Sequence, residues 1–179
     1  KEVLILPQYT GHFESGYGLE SVTLSKEKVK IYGKEEFLNS VNNVYVNIDI
    51  SELSGDKSYS KLPISKIDKI NKFAFDTVDA SIRVSPAIKK VVTDVPINIV
   101  NNEGNYRVIF TNGQEKVSIE VEGVAEKLDS VSASDFVASI NLEDLKIGSN
   151  TVKVDLDTNK GYLSYKLVSP EKITVTLKK

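Results

Sequence analysis

The sequence contains no cysteine, which excludes disulfides, thiolate metal ligands and a cysteine nucleophile. It contains one histidine, His12, so multi-histidine metal sites are excluded and a catalytic triad is confined to the surroundings of that residue. No apolar run approaches the roughly 20 residues that span a bilayer as a helix, and no signal peptide opens the chain. A basic excess is missing too. The net charge is −2, which leaves nothing for counterion release against phosphates and argues against nucleic acid as a partner. The first residue is Lys1, not Met, so the sequence reads as a cut-out fragment, which leaves room for an anchor or signal upstream.

The rest of the composition is that of a globular chain: 40% hydrophobic and 27% charged, which excludes general disorder. Its organising feature is a stretch spelled twice. The first copy reads Val29-Lys30-Ile31-Tyr32-Gly33, an amphipathic run to Val41, Ile48-Asp49-Ile50-Ser51-Glu52-Leu53, and later Val84-Ser85-Pro86. The second reads Val117-Ser118-Ile119-Glu120-Val121-Glu122-Gly123, a run to Val131, Ile140-Asn141-Leu142-Glu143-Asp144-Leu145, and later Val168-Ser169-Pro170. The glycines lie 90 positions apart and the two core isoleucines 92, so the chain is a tandem duplication with small insertions. A repeat of this length is about the smallest that buries its own core. The expected domains are residues 1–90 and 91–179, which hand over near Ile88 to Asp94 without a Gly/Ser linker.

Period-two alternation dominates both copies. In the first, strands are expected at Val3–Leu6, ended by Pro7, at Leu19–Leu24 and Val29–Ile31 as a hairpin about Ser25–Lys28, at Val44–Ile50, at Leu62–Ile64 and at Val78–Val84. A two-turn helix is expected from Glu35 to Val41, and Ile64, Ile67, Ile70 and Phe73 at spacing three suggest another short one. In the second copy, Val95-Pro96 answers Leu6-Pro7, and Gly104-Asn105 and Asn112-Gly113 suit hairpin turns. A short helix is expected about Val124, Leu128 and Val131. Strands follow at Phe136–Leu142, at Val152–Leu156, at Leu163–Leu167 and through Ile173, Val175 and Leu177. Gly33 and Gly123 each stand between a strand and a helix, where positive φ is expected.

The order strand, Gly, short helix, Ile-Asp-Ile-Ser-Glu-Leu, strands, Val-Ser-Pro, with Gly16-Tyr17 ahead of it, resembles the YbbR-like repeat, and both copies carry it. The second copy departs where Gly104-Asn105-Tyr106 only loosely answers Gly16-Tyr17. The resemblance implies a mostly β fold: two tandem small β-rich YbbR-like domains, each with one short helix. It also implies a non-catalytic extracytoplasmic region of a membrane-anchored regulator. Such a regulator controls the membrane diadenylate cyclase that makes cyclic di-AMP, through protein contact, and is held by an N-terminal membrane helix absent from this fragment. The alternative is a cell-surface β-module, adhesin or wall-associated, that binds a glycan or host protein.

The chemical motifs have plainer readings. Asp155-Leu156-Asp157-Thr158-Asn159 opens like a calcium loop, but Lys160 and Lys166 stand where the glycine and the bidentate glutamate belong. Ser25-Lys26-Glu27-Lys28 and Ser58-Tyr59-Ser60-Lys61 match Ser-x-x-Lys without the companion motifs. Gly16-Tyr17-Gly18 lacks the context of a dinucleotide loop. Glu120, Glu122, Glu126, Asp129, Asp135, Glu143 and Asp144 read as solvated acids. Tyr17, Tyr32, Tyr45 and Phe13 read as packing residues ahead of a binding patch. No catalytic, cofactor-binding or metal-binding residue is assigned.

Overall fold

A computed structural model describes residues 1–168 and 170–179. The chain is mostly β with two short α-helices, and divides into two units, Lys1–Ala87 and Ile88–Lys179.

The first unit runs β1 (Glu2–Thr10), β2 (Tyr17–Leu24), β3 (Lys28–Gly33), α1 (Glu35–Ser40), β4 (Asn43–Asp49), β5 (Lys57–Pro63), β6 (Ile70–Phe73) and β7 (Thr77–Pro86). These form a sheet β4-β1-β3-β6 and a sheet β2-β7-β5. Alternation decides what is buried: Val3 and Ile5, Val29 and Ile31, Val44 and Val46 point inward and form one core with Ile64 and Val78. Each such side chain contributes roughly 1.5–3 kcal/mol by leaving water. The helix α1 is six residues long with no buried residue, so it is held by its neighbours and not by its own propensity.

The second unit runs β8 (Ile88–Val100), β9 (Arg107–Phe110), β10 (Lys116–Gly123), α2 (Ala125–Asp129), β11 (Phe136–Asn141), β12 (Gly148–Lys153), β13 (Asp155–Thr158), β14 (Ser164–Leu167) and β15 (Lys172–Lys178). Its sheets are β13-β11-β8-β10-β14 and β12-β15-β9. Strand for strand, β11-β8-β10-β14 repeats β4-β1-β3-β6, and β9-β15-β12 repeats β2-β7-β5. Its core is separate and includes Val92, Val95, Ile119, Val121, Leu128, Ile140, Val175 and Leu177.

Several sequence expectations are corrected by the pairing. Pro7 does not end its strand. It lies inside β1, opposite Val46 of the parallel partner β4. The N–H of Ile5 donates to Glu27 O at 2.8 Å, so the nitrogen of Pro7, two residues on, faces the same side, where β3 pairs only with Glu2, Val3 and Leu4. Nor is Pro96 its counterpart. The register places Pro7 opposite Val46 and Ile97 opposite Ala138, so Pro96 stands one position earlier. Its nitrogen faces β11 just before that ladder begins.

None of the three expected hairpins forms. β2 pairs with β7, and β3 with β1 and β6. Ser25 N bonds Asp79 O and Glu27 O accepts from Ile5, so the linking residues cross between sheets. Asn105, Asn112 and Gly113 do have positive φ, but β9 pairs with β15, not with β8 or β10. The short helix at 64–73 is absent. Lys69 takes φ 68° in a turn closed by Ile70 N to Ile67 O, and Ile70–Phe73 forms β6 at the edge of β3. The strand expected at Val152–Leu156 is two strands broken at Val154, whose N–H turns to Glu171 O. β12 joins β15 and β13 joins β11. In the motif Val168-Ser169-Pro170, Ser169 lies outside the described residues.

Candidate functional site

The most strongly repeated element is the turn after the central parallel strand. In the first unit Ile50 N bonds Thr10 O at 2.9 Å, Leu53 N bonds Ile50 O at 3.3 Å, and Ser51 N bonds the Asp49 carboxylate at 3.0 Å. In the second, Leu142 N bonds Val100 O at 3.1 Å, Leu145 N bonds Leu142 O at 3.2 Å, and Glu143 N bonds the Asn141 side-chain oxygen at 2.9 Å. The left-handed position is shared: Glu52 has φ 57° and Asp144 φ 62°. The signature Ile-Asp-Ile-Ser-Glu-Leu is therefore an Asx-type turn that ends the strand by offering its backbone a side-chain acceptor. The amide and hydroxyl of Ser51 hold the Asp49 carboxyl below the usual carboxylate range, the hydroxyl contributing most; Asn141 does the same work uncharged.

The neighbouring strand also turns alike, through Gly11 at φ 79° and Asn101 at φ 56°. A Cβ on Gly11 would collide with Ser51. At Asn101 the side chain fits and donates to Asn141 at 3.1 Å. Beside this turn in the second unit lies a concavity of ≈ 410 Å³ lined by Asn101, Glu103, Tyr106, Glu143 and Asp144 among others.

The two signature glycines correct the expectation of positive φ. Neither Gly33 nor Gly123 has it; both continue their strands to the end. What they supply is room. A Cβ on Gly123 would lie 2.8 Å from Leu163 Cδ2 and 3.3 Å from Leu128 Cδ2, whereas one on Gly33 would lie 3.3 Å from Lys69 O. A lysine is also repeated, which sequence reading overlooked. Lys1 Nζ donates to Leu38 O at 3.1 Å, and Lys90 Nζ donates to Leu128 O at 2.9 Å and Val131 O at 3.0 Å. Each adds a charged donor at the carbonyl end of the short helix, where Leu38 O already accepts from Val41 N and Leu128 O from Val131 N. The signal was present as Lys-x-Val at the opening strand of each copy, Lys1 to Val3 and Lys90 to Val92.

The chemical motifs are taken up in architecture. Ser25 Oγ accepts from Asp79 N at 2.9 Å, and Asp79 Oδ1 accepts from Lys61 N at 2.8 Å, which ties both Ser-x-x-Lys stretches to one strand. His12 is exposed in the loop after β1, its carbonyl accepting from Glu52 N. Gly16-Tyr17-Gly18 leads into β2 instead of a helix. Asp157 accepts from Thr158 N, and Lys160 pairs at 3.4 Å with Asp135, which also caps a 3-10 turn through Ser132 N at 2.9 Å. These contacts, the Ser132 amide first, hold the Asp135 carboxyl low. Among the described residues no group of three or more histidines and acids is placed to hold a metal ion.

Glu120 sits between Lys89 at 3.1 Å and Lys166 at 3.3 Å, and both hydrogen bonds lower its pKa, Lys89 foremost. Of the aromatics, Phe13 is buried and Tyr17 belongs to the β2 sheet. Only Tyr32 and Tyr45 share a face, the outer one of β4-β1-β3-β6, with Leu4 and Leu6 exposed between them on β1.

A family model described as YbbR-like protein matches residues 3–82 and again 95–177. The CdaA regulatory protein CdaR of Bacillus subtilis (strain 168) is 22% identical over 160 residues, which cover 88% of this chain and 33% of that protein. The chain thus spans about a third of the length of this relative. Among solved structures, the YbbR-like domain of the lmo2119 protein from Listeria monocytogenes aligns over 51% of this chain and 93% of its own, at 19% identity and TM-score 0.42. A YbbR-like protein from Streptococcus pneumoniae TIGR4 aligns over 99% and 91%, at 16% identity and TM-score 0.34.

Proposed function

This chain belongs to the YbbR-like protein family, and from that premise we propose that it is the extracytoplasmic, non-catalytic region of a membrane-anchored regulator of the diadenylate cyclase. The observation that carries the reading is the extent of the likeness to a protein named for regulating CdaA, which takes in both repeats and 88% of this chain. The structure supports a contact role over a chemical one. Asp79, Asp135, Ser25 and Lys160 are engaged in turns and helix ends, while the shared frame presents broad sheet faces. No helix among the described residues is long and apolar enough to cross a membrane; the anchor in this reading is the N-terminal membrane helix that the resemblance implies.

The test is co-purification of the full-length protein with the membrane cyclase from detergent extracts, alongside cyclic di-AMP measured in cells. The reading expects a complex, and a changed cyclic di-AMP level when residues 1–179 are deleted and the anchor is kept. A complex absent from the intact protein, with nucleotide levels indifferent to the deletion, would sink it.

A further inference from the structure

We propose that the outer face of the β4-β1-β3-β6 sheet in the first unit is a docking surface for an anionic lipid interface. Inward alternation leaves Leu4 and Leu6 of β1 outside at 45% and 36% exposure, with Tyr32 of β3 at 49%. The register sets charges among them: Leu4 lies opposite Lys28, Tyr32 opposite Lys72, and Leu6 opposite Tyr45. Lys28, Lys30 and Lys72 thus occupy the β3 and β6 half of the face. The acids on the same face are Glu2, 3.8 Å from Lys28 with both side chains more than half exposed, and Asp49 at the far end of β4. A pair that open holds little energy, so the lysines stay available.

The second unit acts as an internal control. Glu122 precedes Gly123 as Tyr32 precedes Gly33, and its partner across the ladder is Ser164 where Tyr32 has Lys72. Counting back along the strands, Lys30 answers to Glu120 and Lys28 to Ser118. The same sheet forms with serines and glutamates at these places, so folding does not require the lysines. Exposed Leu4, Leu6 and Tyr32 interleaved with lysines on one surface combine the two contributions that hold a protein at an anionic bilayer, apolar burial and charge attraction. A regular sheet face suits a planar interface, which needs no matching register. The inference stands apart from the regulator reading, since vesicle binding and cyclase retention are separate measurements.

The test is co-flotation of residues 1–179 with phosphatidylcholine vesicles and with vesicles that also contain phosphatidylglycerol. Binding is expected only to the second, weakening as salt rises. The variant Lys28→Gln/Lys30→Gln/Lys72→Gln should lose about a hundredfold in partitioning, at roughly fivefold per lysine, while Lys146→Gln/Lys172→Gln/Lys178→Gln in the second unit should lose little. Absence of any preference for the anionic vesicles, or equal loss in the two triple variants, overturns the proposal.

Discussion

The two units share a strand order and differ in what they place on it. Where the first unit turns through Gly11, the second turns through Asn101; where the first uses a charged Asp49 as the turn acceptor, the second uses Asn141. Where the first has only an isolated bridge between Val46 and Ile64, the second has a full edge strand, β13, on β11. The inward positions stay apolar throughout. The comparison teaches that the duplicated unit is defined by inward parity and by backbone turns that several residues can make, while the outer faces vary: tyrosine and lysines paired at most loosely on one copy, glutamate and serine with Lys89 and Lys166 held by Glu120 on the other.

The largest effect should come from the centre of either core. Ile48 and Ile140 are fully buried, and Ile→Asp at either would bury a carboxylate with no partner, costing several kcal/mol, roughly a whole unit's stability. Because the two cores are separate, NMR dispersion should be lost for one set of resonances and kept for the other. Global loss from Ile48→Asp would show that the units do not fold independently.

Next come the glycines, where the copies should diverge. Gly123→Val forces Leu163 and Leu128 apart and should cost about 1–3 kcal/mol as overpacking. Gly33→Val meets a single carbonyl at 3.3 Å and should cost less. Equal losses in denaturant titrations would restore a backbone explanation in place of the packing one. Gly11→Ala combines positive φ with a collision and should cost about 1–3 kcal/mol, measurable in the first unit alone.

Removing the lysine at the helix end should separate the copies again. Lys90→Met removes two part-buried hydrogen bonds, to the Leu128 and Val131 carbonyls, and should cost about 1–2 kcal/mol; Lys1→Met, which removes one exposed hydrogen bond, should stay within about 0.5 kcal/mol. Thermal melts that rank them the other way would break the equivalence.

The smallest effect is a pH dependence from Asp135, a group that the first copy lacks at the matching position. Asp135 is held below its ordinary pKa by the Ser132 amide and Lys160, so its folded value lies under the unfolded one of about 3.9. Its contribution is fully present above the unfolded value and is lost as pH falls through the folded one. Asp135→Asn should flatten the acid limb of the second unit's stability below about pH 4. The first unit has Asn43 in this place and its acid limb should not move. An unchanged acid limb in the variant would show that Asp135 is not the group responsible.

Local patterning was enough to mark most of the strands and both short helices, though it took β6 for a helix, joined β12 to β13 and left β9 unmarked; period two depends on residues within a few positions of one another. Ile48 and Ile140 were legible as core for that reason, and so was the duplication. The partners of each strand were not. Ser25–Lys28 has the chemistry of a hairpin, yet Ser25 is bound to Asp79 and Glu27 to Ile5, contacts that depend on where distant strands lie. The same holds for Gly33 and Gly123: a glycine after a strand looks like a turn residue, and only the neighbouring Lys69 carbonyl or Leu163 side chain shows that what matters is space. Sequence by itself determined which side chains alternate inward and how often the unit repeats, since these follow from steric preference and apolar periodicity. Tertiary structure alone decided which edges pair, which glycines are crowded, and that Lys28, Lys30 and Lys72 share one face with Leu4 and Leu6, because residues far apart in the chain become neighbours only when the strands are laid side by side.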